Sequence, residues 1–167
     1  QAGFSNINLD IMWGLPGQSV AEALEDLRQA IELQPQHMSW YQLTIEPKTE
    51  FAGRPPILPI DRVLQEIEQA GLALLAQAGF QRYEVSAFAR AGYQCQHNLV
   101  YWSFGDYMGI GAGAHGKITQ GPNVYRTQRP SQPRLYQQDN QITELTEIPQ
   151  TQRPIEFMMN ALRLLDG

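Results

Sequence analysis

The chain has 167 residues, of which 43% are apolar and 17% charged, and its formal net charge is −5. This composition is typical of a globular domain with a core of its own, and it argues against a disordered or membrane-embedded chain. The acidic balance, without any basic stripe, argues against nucleic acid as a partner. The single cysteine, Cys95, excludes an internal disulfide and is too few for an iron–sulfur cluster.

The same features predict where the protein works. Residues 1–6 show no signal-peptide pattern, and no apolar run approaches the roughly 18 residues of a membrane span. A lone thiol fits a reducing compartment. We therefore expect a cytoplasmic protein.

The first predicted elements are a strand over 4–12 and a helix that starts after Ser19. The strand alternates an apolar face with a polar face made of Asn6, Asn8 and Asp10. Ser19 and Glu22 have the spacing of a capping box. The helix stripe then follows as Val20, Leu24, Leu27 and Ile31.

Two further strands and a helix continue the pattern. β-Branched and aromatic residues predict a strand over 38–46, and an apolar stripe predicts a helix from Asp61 that ends before Gly79. A third strand is expected over 80–88. Strands that alternate with helices at these distances predict an α/β fold of parallel βαβ units.

The pattern changes after Arg90. We predict a polar and aromatic loop over 93–102, a glycine-rich segment over 106–117, and a loop with short strands over 120–150. Pro154 suits the first turn of a last helix, whose apolar residues are Ile155, Met158, Met159, Leu162 and Leu165. The first strand would have an unpaired edge, so we expect a piece of something larger, and we expect it to self-associate through that edge.

Residues Gly111 to Gly116 match the G-x-G-x-x-G pattern of dinucleotide sites. The match is weak because no helix is predicted directly after it to meet a pyrophosphate. Gly109, Gly111 and Gly113 are expected on one face of an extended segment. Their lack of side chains fits either tight backbone packing or contact with a ligand.

Other polar residues carry competing interpretations. Asp10, at the expected end of the first strand, either binds a ligand or bonds turn amides. Cys95, His97 and His115 lack the paired spacing of a zinc site, so a buried thiol and hydrogen-bonded histidines are favoured. His97 followed by Tyr101 and Trp102 indicates either a heme-binding loop or a plain aromatic cluster. Nothing supports a hydrolase.

Five blocks of the sequence together resemble one family. They are residues 8–18 (NLDIMWGLPGQ), 39–47 (SWYQLTIEP), 83–90 (YEVSAFAR), 92–102 (GYQCQHNLVYW) and 105–115 (GDYMGIGAGAH). The chain is similar to the radical S-adenosylmethionine (SAM) proteins of the oxygen-independent coproporphyrinogen oxidase-like group, and within it to the heme chaperones. The resemblance implies part of a radical SAM (βα) barrel over 1–118, then the start of a C-terminal domain over 119–167.

The resemblance also implies cofactors and site residues. The family binds SAM and a [4Fe–4S] cluster held by a Cys-x-x-x-Cys-x-x-Cys motif, which this chain lacks, so we expect the chain by itself to be inactive. Asp10 matches the carboxylate that bonds the SAM ribose, and Thr44 and His115 match positions near the same ligand.

The His97–Trp102 block resembles the signature of the heme chaperones. It implies a functional role for this block. From the chemistry of the residues we expect His97 to be a ligand of heme iron, with Tyr101 and Trp102 against the porphyrin. Two alternatives stay open: Cys95 as a thiolate ligand, or His97 as a residue that only braces the loop while heme binds elsewhere.

Two functions follow from the resemblance. One is a chaperone that binds heme and delivers it to heme-dependent respiratory proteins, with a membrane-associated client among the possible acceptors. The other is an oxygen-independent coproporphyrinogen III oxidase, which decarboxylates two propionates by radical chemistry. A nucleotide-binding α/β protein without radical chemistry is a third, lesser interpretation.

Overall fold

The computed structural model describes residues 3–138 and 144–165. Residue contacts divide the chain into two compact units, residues 1–95 and 96–167. Both units combine helices with strands, as an α/β class requires. The domain boundary expected after residue 118 stays a prediction. Among the described residues, no helix is both long and apolar enough to cross a membrane.

The first unit is a four-stranded sheet with helices packed on one face. Its elements are β1 (Asn8–Trp13), α1 (Val20–Glu32), β2 (His37–Gln42), α2 (Glu50–Gly53), α3 (Asp61–Gln77), β3 (Gln81–Glu84) and β4 (Ala87–Ala89). The strand order is β1-β2-β4-β3. β1 and β2 run parallel, whereas β4 is antiparallel to both of its neighbours. β1 therefore lies at an edge of the described sheet, as predicted; self-association through that edge stays a prediction.

The helix signals in the sequence are confirmed. The Ser19 hydroxyl accepts a hydrogen bond from the Glu22 amide, and the Glu22 carboxylate accepts one from the Ser19 amide at 2.8 Å. Gly79 follows α3 with φ +82°, a conformation that glycine adopts without strain.

The core lies between these helices and the sheet. Leu27 on α1 and Ile67 on α3 are fully buried, and the Trp13 and Trp40 rings stack with centroids 5.2 Å apart.

The predicted single strand over 80–88 is wrong. The chain reverses at Val85 and Ser86, so that β3 and β4 form an antiparallel pair. The Glu84 carboxylate accepts hydrogen bonds from the amide and the hydroxyl of Ser86, at 3.0 and 3.2 Å. This side chain closes a tight turn inside an otherwise strand-like run, and the parallel βαβ pattern consequently holds only for β1 and β2.

The second unit contains a three-stranded antiparallel sheet of order β5-β6-β7. Its elements are α4 (Gln96–Trp102), β5 (His115–Gln120), β6 (Asn123–Gln128), α5 (Pro133–Gln138), β7 (Glu144–Glu147) and α6 (Arg153–Ala161). Pro154 lies in the first turn of α6, as predicted. The loop expected over 93–102 is wrong, since most of it is α4. The short strands expected over 120–150 are confirmed, except at 139–143, which lie outside the described residues.

Candidate functional site

The polar face of the first sheet centres on Asp10. The parallel register places Asp10 opposite Ser39, and both side chains lie on the face away from the helices. The Asp10 carboxylate accepts a hydrogen bond from the Asn8 side-chain amide at 2.8 Å. Hydrogen bonding by Ser39 and then by Asn8 lowers the pKa of Asp10. The result is an ionised, exposed acceptor on an open sheet surface.

Asp10 does not end its strand, which corrects the expectation from sequence. It is the third residue of β1, and three more residues, about 10 Å of strand, follow before the turn. The turn amides of Gly14 and Leu15 donate instead to the Gln18 side-chain oxygen, at 2.9 and 3.1 Å. The interpretation that Asp10 bonds the turn amides is therefore wrong, because Gln18 accepts those hydrogen bonds.

A buried histidine, which the sequence did not single out, supports this polar face. His37 is 4% exposed and lies opposite Asn8 in the register. Its Nδ1 is 2.6 Å from the Asn8 side-chain oxygen, and its Nε2 is 2.7 Å from the Tyr83 hydroxyl. Burial lowers the pKa of His37, while the carboxylates of Asp10 and Glu84 oppose that shift. The strand register places His37 beside Asn8, and the sequence alone does not show that register.

Thr44, the second residue expected near SAM, lies exposed in the segment after β2. Asp10 is level with Ser39, five residues before Thr44 along the chain. The register thus brings Asp10 to Ser39 rather than to Thr44, and the predicted contact of Thr44 with SAM stays a prediction.

An open groove of about 820 Å³ runs along the free edge of β1. The strand lines it with Leu9, Asp10, Ile11 and Met12, and α1 lines it with acidic residues that include Glu25, Asp26 and Glu32. Because the groove follows a strand edge without a partner among the described residues, it does not by itself define a small-molecule site.

In the second unit, the His97–Trp102 block forms helix α4. His97 and Tyr101 are one helical turn apart, and both rings meet Tyr107, with centroids 6.5 and 5.2 Å away. The Trp102 ring lies edge-on to Tyr101 at 4.7 Å. His97 itself is exposed. The block is thus an exposed imidazole beside a cluster of aromatic rings, which suits a flat, iron-containing macrocycle.

Charged groups hold this cluster in place. Arg126 donates to the Tyr107 hydroxyl at 3.1 Å and forms an ion pair with Glu156 at 2.6 Å. The Arg163 guanidinium carbon lies 4.3 Å from the Trp102 ring centroid. Burial, and secondarily the neighbouring Tyr101, raise the pKa of Tyr107. Tyr107 is therefore a fixed, protonated platform beside α4 at neutral pH.

The glycine-rich segment is explained by close packing. A Cβ on Gly109 would lie 2.4 Å from the His115 carbonyl oxygen, and one on Gly116 would lie 2.5 Å from the Thr127 hydroxyl. The expectation that Gly109, Gly111 and Gly113 share one extended face is wrong, because φ is +110° at Gly111 and +74° at Gly113.

The element that follows the glycines is β5, not a helix, so the structure lacks the helix that a dinucleotide site requires. His115 is exposed at the first position of β5. Its predicted role near SAM stays a prediction.

The described residues contain no group of three or more histidine, cysteine or carboxylate side chains that could hold a metal ion. An ion pair that was not expected lies in the second unit: the buried Lys117 ammonium, 2% exposed, is 2.8 Å from the half-exposed Asp106 carboxylate.

Comparisons with known proteins find one group of similar proteins. No family model matches the chain. The heme chaperone HemW of Escherichia coli (strain K12) is 54% identical over 166 residues, which are 99% of this chain and 44% of that protein. HemW of Haemophilus influenzae is 53% identical over 167 residues, with the same two coverages, 99% and 44%. Over nearly its whole length the chain is similar to these HemW proteins.

The chain spans less than half the length of these HemW proteins. A mouse relative, radical S-adenosyl methionine domain-containing protein 1, mitochondrial, is 39% identical over 84% of the chain and 32% of its own length. A solved structure of the E. coli coproporphyrinogen III oxidase HemN, described as a radical SAM enzyme, matches with a TM-score of 0.71. It covers 97% of this chain and 41% of HemN at 19% identity, and thus shows the fold alone. The prediction of a partial radical SAM α/β fold is confirmed.

Proposed function

We propose that the protein containing this chain is a heme chaperone, which binds heme at α4 and delivers it to heme-dependent respiratory proteins. The observation that carries the proposal is the exposed His97 imidazole, edge-on to Tyr107 and one turn from Tyr101. Relatives that are 40–54% identical bear the name of heme chaperone or heme chaperone-like protein. Delivery to respiratory proteins, including a membrane-associated client, rests on the resemblance.

In this proposal His97 is the ligand of the heme iron. A neutral imidazole is an ordinary proximal ligand, and the tyrosine rings offer flat apolar surface to a porphyrin. Cys95, half-buried two residues earlier, is the rival ligand as a thiolate.

SAM is the proposed resident cofactor, with Asp10 as its ribose ligand. An ionised carboxylate makes strong hydrogen bonds to a diol, and Asp10 is exposed with a pKa held low by Ser39 and Asn8. When bound, SAM and a [4Fe–4S] cluster supply radical chemistry. The one cysteine in this chain does not suffice for the cluster.

Oxygen-independent coproporphyrinogen III oxidase is the second candidate, because the fold matches HemN. The chaperone is favoured, since that likeness is at 19% identity while relatives named for chaperone activity reach 54%. Decarboxylation of coproporphyrinogen III by the full-length, cluster-loaded protein would support the oxidase instead.

Heme titration of a full-length HemW-type protein with this segment tests the heme proposal. We expect His97→Ala to weaken heme binding at least about tenfold and to move the Soret band, because the iron loses its ligand. Cys95→Ala should change neither, and Gln96→Ala, an exposed neighbour on α4, is the control. If His97→Ala keeps both the affinity and the Soret position, the assignment of the ligand is wrong.

SAM titration of the same protein, loaded with its cluster, tests Asp10. We expect Asp10→Ala to cost about 1.5–3 kcal/mol of SAM binding, the typical value of a charge-assisted hydrogen bond. Glu68→Ala, which removes an exposed carboxylate from α3, is the control for the change in net charge. Equal affinities for Asp10→Ala and the unmodified protein would refute the role of Asp10.

A further inference from the structure

We propose that Tyr83 and His37 are positioning residues for Asp10, acting through Asn8 in one hydrogen-bond relay that starts at the amide of Cys95. The relay rests on the proposed function in one respect: the ligand that Asp10 binds is SAM. Its four links all lie within the first unit. They join residues that are 2, 12, 29 and 46 positions apart along the chain.

The chemistry of each group fixes the direction of the relay. Asn8 must turn its NH₂ group towards Asp10, since the carboxylate accepts only, and the distance is 2.8 Å. The Asn8 oxygen then faces His37 Nδ1 at 2.6 Å, so Nδ1 must carry the proton and donate. A neutral imidazole protonated at Nδ1 has an acceptor at Nε2.

The remaining two links follow from that tautomer. Tyr83 must donate its hydroxyl proton to His37 Nε2, at 2.7 Å. The Tyr83 oxygen accepts from the Cys95 amide at 3.3 Å. The relay therefore runs from the Cys95 amide through Tyr83, His37 and Asn8 to Asp10, with one donor and one acceptor at every step.

Burial makes the relay rigid. His37 is 4% exposed, and desolvation favours its neutral form, the only form that can accept from Tyr83 while donating to Asn8. Ser39 contributes a second, longer hydrogen bond to the Asn8 oxygen at 3.3 Å. Asn8 is thus held from two sides, and Asp10 receives a preoriented donor while its side chain stays exposed.

The relay has a second consequence. Cys95 directly precedes α4, the helix that carries His97. A change at Asp10 therefore reaches the peptide that leads into α4 through hydrogen bonds alone.

Nuclear magnetic resonance of the isotopically labelled 167-residue chain tests the relay. We expect the neutral Nδ1–H tautomer for His37 at neutral pH, which histidine nitrogen shifts report directly. In Tyr83→Phe, the tautomer should become mixed, the pKa of Asp10 should rise towards its ordinary value, and the Cys95 amide should no longer respond to Asp10→Asn. Tyr125→Phe, which removes a hydroxyl bonded to Asn123, is the matched control.

Two substitutions at residue 37 separate positioning from packing. His37→Asn keeps a donor near the Nδ1 position and should keep the low pKa of Asp10. His37→Leu fills the space without a donor and should raise the pKa of Asp10 part of the way, because the Ser39 hydrogen bond remains. In the full-length protein, Tyr83→Phe should weaken SAM about two- to tenfold, as expected for one neutral hydrogen bond.

An Nε2–H or charged His37, or an Asp10 pKa unchanged in both Tyr83→Phe and His37→Leu, would overturn the relay. If the relay readouts hold but Asp10→Ala binds SAM normally, the proposed function of Asp10 fails and the relay stands.

Discussion

Gly71→Ala is the substitution whose effect the structure predicts most sharply. Gly71 lies on α3 against the buried indole of Trp40, and a Cβ there would be 2.1 Å from Trp40 Cη2 and 2.5 Å from Cζ2. Ordinary van der Waals contact needs at least 3.4 Å, so the ring would have to move by about 1.3 Å. Trp40 is 3% exposed and stacked on Trp13, which leaves it no space to move into.

The expected magnitude combines two opposing terms. Overpacking a core costs about 1–3 kcal/mol, and this close contact with a fixed ring belongs at the upper end. Alanine in a helix interior gains about 1 kcal/mol over glycine. We therefore expect Gly71→Ala to lower the free energy of unfolding by about 2 kcal/mol. Trp40 neighbours Ser39 on β2, so the displaced strand should also disturb the partner of Asp10.

Urea unfolding followed by circular dichroism measures this loss. Gly53→Ala is the control, because Gly53 lies at the end of α2 with no atom within 4 Å of an added Cβ, and its change should stay within about 0.5 kcal/mol. Trp40→Phe removes the indole atoms that clash, so the double variant Gly71→Ala/Trp40→Phe should be more stable than the sum of the single losses by about 1 kcal/mol or more. A Gly71→Ala chain as stable as the unmodified one would refute the packing argument.

Three further predictions concern stability. The pKa of His37 is lowered from 6.5 by burial, so an unfolded chain binds a proton that the folded chain does not as the pH falls below about 6.5. Stability should be complete well above that pH and decline as the pH falls through and below it, and a His37→Asn chain with the same decline would contradict this. Asp106→Asn should lower the free energy of unfolding by about 2 kcal/mol. This is less than the ~3–5 kcal/mol lost when one partner of a fully buried pair is removed, because the Asp106 side chain is 45% exposed while Lys117 is buried. Lys117→Met in that background should recover most of this loss, and an unchanged urea midpoint for Asp106→Asn alone would contradict the argument. Ser19→Ala should lower the free energy of unfolding by about 1 kcal/mol, because it removes the capping box. Thr49→Ala, at the cap of the four-residue α2, should lower it by less, and equal losses in urea unfolding would contradict this prediction.

Local signals predicted the helices well and the strands less well. The capping box joins residues three positions apart, and the proline at the start of α6 acts through its own backbone, so a sequence shows both signals directly. The reversal between β3 and β4 depends on the Glu84 carboxylate and a two-residue turn inside a strand-like pattern. No glycine or proline marks that turn, so the sequence predicted one strand.

Helix α4 was missed for a different reason. Its seven residues carry no apolar stripe, and two of its aromatic side chains, Tyr101 and Trp102, are half-buried. Its contacts are made with Tyr107 and α6. A short helix of this kind is stabilised by packing rather than by propensity. The sequence identified the chemistry of the His97 block correctly as aromatic and imidazole-bearing, but it had no local signal for the block's conformation.

The sequence located Asp10 but could not show what keeps its carboxylate ionised. The alternation in β1 places Asp10 on the open face and Leu9 and Ile11 against the helices, so one strand serves both binding and the core. The charge of Asp10, however, depends on Ser39, and its neighbour Asn8 depends on His37, both about 30 residues away. Only the parallel pairing of β1 with β2 brings these groups together. A substitution on the outer face of β2 can therefore alter the carboxylate without touching the core, and one on the inner face, such as at Trp40, alters both.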